Sequence, residues 1–203
     1  MKYRLPRTGR RAIAVTAGAT VAALGITSAA FAATSSAASP ARVASAAIPK
    51  CTAALGQQGN VSAWVSADQG NGAAGTIYYP LEFTNLSGHT CSMHGFPGVS
   101  AISRSGHQLG SPANWESGGG FGTPRTVNVA PGATVHAVLA YHDVEVSTAP
   151  GCDPVNTTFE LRVYPPDERG AAFAFFDLQA CSHSGPIYLS VGPIKPGVGT
   201  ING

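Results

Sequence analysis

The densest group of reactive side chains in this 203-residue chain is His89-Thr90-Cys91-Ser92-Met93-His94, which sets imidazole, thiol and thioether close together. Such nitrogen and soft sulfur donors suit copper. Along an extended strand successive side chains alternate between faces, so His89, Cys91 and Met93 share one face and His94 takes the other. Only part of the group can converge. A second group, His136, His142 and Asp143, offers imidazoles and a carboxylate for zinc or for a general base. Six residues along one strand put both histidines on one face but roughly 20 Å apart, too far for one ion unless the strand bends.

Other chemistries lack their signatures. The chain has no HExxH pair and no G-x-S-x-G nucleophile elbow, and Gly118-Gly119-Gly120-Phe121-Gly122 lacks the lysine and the following helix of a phosphate loop. Asp143 and Glu145 share a strand face, and Asp167-Glu168 fall in a turn, where solvated charge is the ordinary role; neither pair spans a cleft as glycoside chemistry requires. The expectation is a non-catalytic protein with no cofactor and no metal. The competing reading is a secreted hydrolase or a copper or zinc protein built on the histidines.

The elements that must position these residues are strands. Alternation of period two recurs from Val61 to the end, and no stretch has helical periodicity. Leu81 and Phe83 alternate with Glu82 and Thr84, and Val127 and Val129 with Thr126 and Asn128, each run implying one buried and one wet face. Val135, Ala137, Leu139 and Tyr141 form a further buried face, Phe173 and Phe175 another, and Ile187, Leu189 and Val191 close the chain. About eight strands in roughly 150 residues, with no βαβ alternation, predict an all-β fold. An immunoglobulin-like antiparallel β-sandwich is the first choice and a closed barrel the second. Ser111 to Thr123 is expected to be a long mobile loop.

Four cysteines, Cys51, Cys91, Cys152 and Cys181, form an even set. Hairpin symmetry chooses among the three pairings, because residues opposed in an antiparallel hairpin are equidistant from its turn. Cys152 and Cys181 are centred between Pro166 and Asp167, inside the turn sequence Pro165-Pro166-Asp167-Glu168-Arg169-Gly170. Cys51 and Cys91 are centred on Asn71, inside a glycine-rich turn. The predicted disulfides are therefore Cys51 to Cys91 and Cys152 to Cys181. A four-cysteine zinc site would need CxxC pairs, which the chain does not have.

Only 11% of the residues are charged, against about a quarter in an average soluble chain. Seven of the twelve Lys and Arg precede Cys51, whereas all ten acids follow it. Beyond that point five bases (Arg104, Arg125, Arg162, Arg169, Lys195) meet ten acids, a net charge of −5 with histidine neutral. A mildly acidic surface repels phosphate backbones, which argues against nucleic-acid binding. Residues 1–32 read as a secretory signal: basic through Arg11, apolar from Ala12 to Thr27, then Ala30-Phe31-Ala32 before the expected cleavage. The apolar run is shorter than the roughly 20 residues of a permanent span, so the membrane is met only in transit. Arg10-Arg11 leaves both the general and the twin-arginine export routes open. Residues 33–50, almost wholly Ala, Ser and Thr at their start, are read as a flexible leader, and residues 51–203 as a single domain.

The run Cys91-Ser92-Met93-His94-Gly95-Phe96-Pro97-Gly98-Val99 resembles a family of secreted actinobacterial proteins defined only as domain of unknown function number 4232. Pro80 to Asn85, Val129 to Ala137 and Leu161 to Pro166 fit the same pattern. The resemblance implies an exported β-sandwich, often held by a leader or a lipid anchor, and carries no activity or catalytic residue. Members often have a lipid-attachment cysteine; here Cys51 stands well downstream of the apolar run.

Binding is what remains. Alternation places aromatics among Trp64, Tyr78, Tyr79, Trp115, Phe121 and Tyr188 off the main core face, unless a second sheet covers them. Trp115 and Phe121, at the two ends of the glycine-rich loop, are the candidate binding surface for an envelope glycan or protein. The expected location is extracellular or cell-wall associated.

Overall fold

The computed structural model describes residues 47–53, 59–67, 70–144, 151–155, 158–183 and 185–200. All belong to one unit, Ser45–Gly203. The signal sequence, nearly all of the leader and Glu145 lie outside the described residues. In chain order the strands are β1 (Val61–Val65), β2 (Asn71–Ala73), β3 (Thr76–Asn85), β4 (Cys91–His94), β5 (Gly98–Ser103), β6 (Gln108–Leu109), β7 (Asn114–Trp115), β8 (Thr126–Val129), β9 (Thr134–His142), β10 (Pro154–Val155), β11 (Thr158–Tyr164), β12 (Ala172–Phe175), β13 (Ala180–Cys181), β14 (Leu189–Val191) and β15 (Lys195–Pro196). The protein is all-β. Among the described residues no helix is long and apolar enough to cross a membrane.

The larger sheet runs β1-β3-β9-β14-β7, with β2 beside β3 and β15 beside β9; the second runs β12-β11-β5-β6. Two short pairs, β4-β8 and β10-β13, complete the set. The long β3-β9 ladder, from Thr76 opposite His142 to Thr84 opposite Thr134, is the spine. Its inward residues Leu81, Phe83, Val135, Ala137 and Leu139 join Val99, Ala101, Leu161 and Val163 in one core. Full burial of each large side chain stabilises the fold by roughly 1.5–3 kcal/mol relative to exposure. The short β14-β7 pair is parallel, and the other ladders between these strands are antiparallel.

Both expected disulfides are present, Cys51–Cys91 and Cys152–Cys181. In the chain-entropy picture loops of 40 and 29 residues correspond to about 4 and about 3.5 kcal/mol. The geometry behind them differs from the expected hairpins. Lys50 bridges Ser92 in parallel, and the Cys51 N–H donates to the Ser92 carbonyl. Cys51 is thus laid alongside β4 rather than folded back around Asn71, and paired backbone begins before the leader's expected end at Lys50. In the β11-β12 hairpin Glu160 opposes Phe175, which centres the turn between Asp167 and Glu168, one residue beyond the expected centre. Cys181 consequently faces Pro154, and the disulfide runs diagonally to Cys152. Two disulfides fit an oxidising compartment.

Four further expectations need correction. On β12 the inward residues are Ala172 and Ala174, while Phe173 and Phe175 are 46% and 72% exposed. This strand packs against β1, where small side chains let the sheets approach, and a shift of one residue exchanges the two faces. Glu82, expected on the wet face, is fully buried. The segment Ser111 to Thr123, expected as a long mobile loop, carries β7, a bridge between Gly118 and Gly122, and a 3-10 turn over Gly119–Phe121. Of the unassigned aromatics, Tyr188 is wholly buried, its hydroxyl donating to the Leu109 carbonyl, and Tyr79 packs edge-on against Phe176. Its neighbour Ile187, expected to face the core, is instead exposed.

Candidate binding site

Because Leu81 and Phe83 point into the core, Pro80 and Glu82 point to the outer face of the larger sheet. The same alternation sends His136 and Val138 outward from β9. Glu82 opposes His136 across the ladder, and His136 opposes Lys195 of β15. Residues directly opposed in a sheet share a face. Three titratable side chains therefore stand in one row across three adjacent strands, which lie about 4.8 Å apart.

Beyond β15 the chain turns at Gly197 (φ 78°) and passes back over this row as a short strap. Only glycine takes that backbone conformation without strain. The Gly199 N–H donates to Glu82 Oε1 at 2.9 Å, and Ser66 Oγ donates to the same oxygen at 3.4 Å. Among the described residues Glu82 Oε2 is buried without a partner. Burial pushes the Glu82 carboxyl above its usual range, with the Gly199 and Ser66 hydrogen bonds acting in the opposite direction. His136 Nδ1 lies 2.8 Å from the Gly197 carbonyl. A carbonyl only accepts, so Nδ1 carries the proton, and the neutral ring presents Nε2 as an acceptor. Burial lowers the affinity of His136 for a second proton; the Gly197 carbonyl opposes this and the Lys195 charge reinforces it. Burial likewise lowers the Lys195 pKa.

Beside the strap is a recess of about 340 Å³, at the low end of the roughly 300–1,000 Å³ common for small-molecule sites. Tyr78, Pro80, Phe121 and Val138 supply apolar walls, and Asn71, His136, Lys195 and Thr200 supply polar ones. Tyr78 and Phe121 meet edge to face with ring centroids 6.1 Å apart. Lys195 Nζ donates to the Gly120 carbonyl at 2.6 Å, which holds the glycine-rich loop against the sheet. Gly192 lies under Phe121, where a Cβ would stand 3.0 Å from the ring. Among the described residues no acid lines the recess.

The family described as Domain of unknown function (DUF4232) matches residues 57–195, well over half of the chain. The chain belongs to the DUF4232 family. The matched span holds the whole Glu82, His136, Lys195 row and both aromatic walls, while the strap from Pro196 onward follows it. No curated protein and no solved structure matches the chain.

This DUF4232 domain separates the two residues expected to share a surface. Phe121 forms a wall of the recess. Trp115 opposes Val191, a core residue, and so belongs to the other side of the sheet; it is 65% exposed, stacked on Phe96 at 5.4 Å, with Nε1 donating to the Pro97 carbonyl. The histidine groups do not converge either. His89 and His94 are exposed, Met93 is buried, and Cys91 is in its disulfide. His142 Nδ1 lies 2.9 Å from Thr76 Oγ1, so the two β9 histidines have separate partners. Among the described residues no three His, Cys, Asp or Glu side chains gather as a metal site would require.

Glu82 and Lys195 were not legible as site residues. Glu82 sits in a run whose alternation reads as solvated, and only the return of Gly197–Thr200 buries it. The one local hint is the small-residue composition of Pro196-Gly197-Val198-Gly199, a segment able to lie flat on a sheet.

Proposed function

We propose that this chain is an exported, non-catalytic binding module, and that the recess on the outer face of its larger sheet takes a small ligand or a side group of an envelope polymer. The observation that carries this reading is the lining itself: two aromatic rings and two apolar side chains beside an amide, an imidazole and an ammonium, the mixture by which proteins bind compact amphipathic molecules. Export is supported by the two disulfides and by the signal-like sequence of residues 1–32. The non-catalytic reading is supported by how the titratable row is held. Glu82 is sealed beneath the strap, and among the described residues the His136 ring hydrogen-bonds to the Gly197 carbonyl rather than to a nucleophile.

The test is an amide NMR titration of the purified disulfide-bonded protein with soluble fragments of the producer's own envelope polymers. Shifts should concentrate at Gly72, Gly120 and Phe121 and vanish in Phe121→Ala, while Trp115→Ala binds as the parent does. Shifts that cluster around Trp115, or that survive Phe121→Ala, would overturn the assignment of the site.

A further inference from the structure

We infer that the recess is built for a small organic acid, with a carboxylate received by Lys195, a hydrogen-bond donor received by His136 Nε2, and an apolar body held against the Tyr78 and Phe121 pair. This rests on the reading of the recess as the binding site and adds the class of ligand.

The charge argument comes first. An ammonium has three donors, and Lys195 Nζ directs one of them to the Gly120 carbonyl. Among the described residues no carboxylate lines the recess, and the Lys50 to Asp167 ion pair is elsewhere. The nearest acid in the row, Glu82, is two strands away and faces the Gly199 amide under the strap. Lys195 is thus a partly buried cation facing a cavity to which the described residues bring no counter-ion, on a domain whose net charge from Cys51 onward is −5. Desolvated charges are stabilised by an opposite charge at hydrogen-bond distance.

The second argument fixes the neighbouring group. The Gly197 carbonyl determines the tautomer of His136, so its other nitrogen accepts a hydrogen bond. An acceptor beside the ammonium selects a ligand that carries a hydroxyl or N–H near its carboxylate. A fully ionised phosphate has no hydrogen to give Nε2, and among the described residues neither an arginine nor a helix N-terminus lines the recess to receive one. Tyr78 and Phe121 then cover the apolar remainder.

Hippurate has a carboxylate, an adjacent amide N–H and a phenyl ring, and serves as the probe. Its methyl ester removes the charge while adding one methyl group, and phenethylamine keeps the phenyl ring with a charge of the opposite sign. In amide NMR titrations of the labelled, disulfide-bonded protein, hippurate should shift Gly72, Gly120 and Phe121 and bind about tenfold more tightly than the ester. Lys195→Met should abolish that difference and Lys195→Arg restore it, with spectra of the free variants superimposable on the parent's outside β15 and the Gly118 to Gly122 loop that Lys195 holds. An ester that binds as well as the acid, or an amine that binds better, overturns the inference while leaving the recess as the site. If no probe shifts these amides, the assignment of the recess falls as well.

Discussion

Glu82 and His136 face each other across the β3-β9 ladder, and each holds the same strap by a different hydrogen bond. The carboxylate accepts from the Gly199 amide, and the imidazole donates to the Gly197 carbonyl. Gly199 fits because a Cβ there would stand 2.6 Å from Pro80 and 2.9 Å from the His136 ring. The row beneath the strap thus couples one wall of the recess to two titratable groups.

That coupling sets a pH dependence. Glu82 has a raised pKa in the fold, so between its ordinary 4.5 and the folded value the native state binds more protons than the unfolded one. Stability from this group is fully present below 4.5 and is lost as pH rises through the folded pKa. His136 acts oppositely: its lowered pKa adds stability above 6.5 that is lost as pH falls. Comparing Glu82→Gln with the parent isolates the first effect. The variant, which keeps an acceptor for Gly199, should have the higher Tm at pH 7, and the gap should close toward pH 4. Thermal unfolding across pH checks this, and a gap that widens on acidification would contradict it.

Asn85 is a buried clamp whose loss should be costly. Its Nδ2 donates to the His89 and Val129 carbonyls, both at 2.9 Å, and its Oδ1 accepts from the Ser87 amide and hydroxyl. It therefore ties the end of β3 to the β4-β8 pair. Asn85→Ala strands buried backbone groups and should destabilise by on the order of 3 kcal/mol in urea unfolding. A loss under about 0.5 kcal/mol would place the clamp elsewhere.

The β2-β3 hairpin has a two-residue loop, Ala74-Gly75, with φ of 54° and 80°. Both positions require the left-handed region, as in a type I′ turn, where Asn-Gly is the preferred pair. Ala74→Asn should stabilise by roughly 0.5–1 kcal/mol, and Gly75→Ala should destabilise by a similar amount. Chemical denaturation of the two variants gives the signs directly.

The corrected register of β12 is testable by a pair of substitutions. Phe173→Ser acts on an exposed side chain and should change stability by no more than about 0.5 kcal/mol. Ala174→Leu forces volume into a full core and should cost roughly 1–3 kcal/mol. The opposite ranking in unfolding free energy would restore the phenylalanines to the interior.

Much of the fold follows from local pattern. Alternation along Leu81-Glu82-Phe83 and Val135-His136-Ala137 dictates strands and, where both neighbours are apolar, their buried face, because a strand has a period of two whatever surrounds it. Four cysteines in a chain that reads as exported imply two bridges, and their pairing was recoverable even though Cys51 reaches Cys91 by a parallel bridge rather than a hairpin. The family pattern in the Cys91 to Val99 run belongs to the same legible layer.

What packs on the far side of a strand is not in its own sequence. Glu82 reads as solvated until Gly199, 117 residues later, covers it. Phe173 and Ala174 have equal claims to the interior until β1 arrives to admit only the smaller. Trp115 and Phe121 are close in the chain, yet the sheet edge sends them to opposite faces. Lys195 becomes part of a site only because β15 pairs with β9 beside His136. Period and composition are properties of neighbouring residues and are decided locally; burial of a polar face and convergence of a site depend on segments that meet only when the sheets close, and the tertiary structure alone decides them.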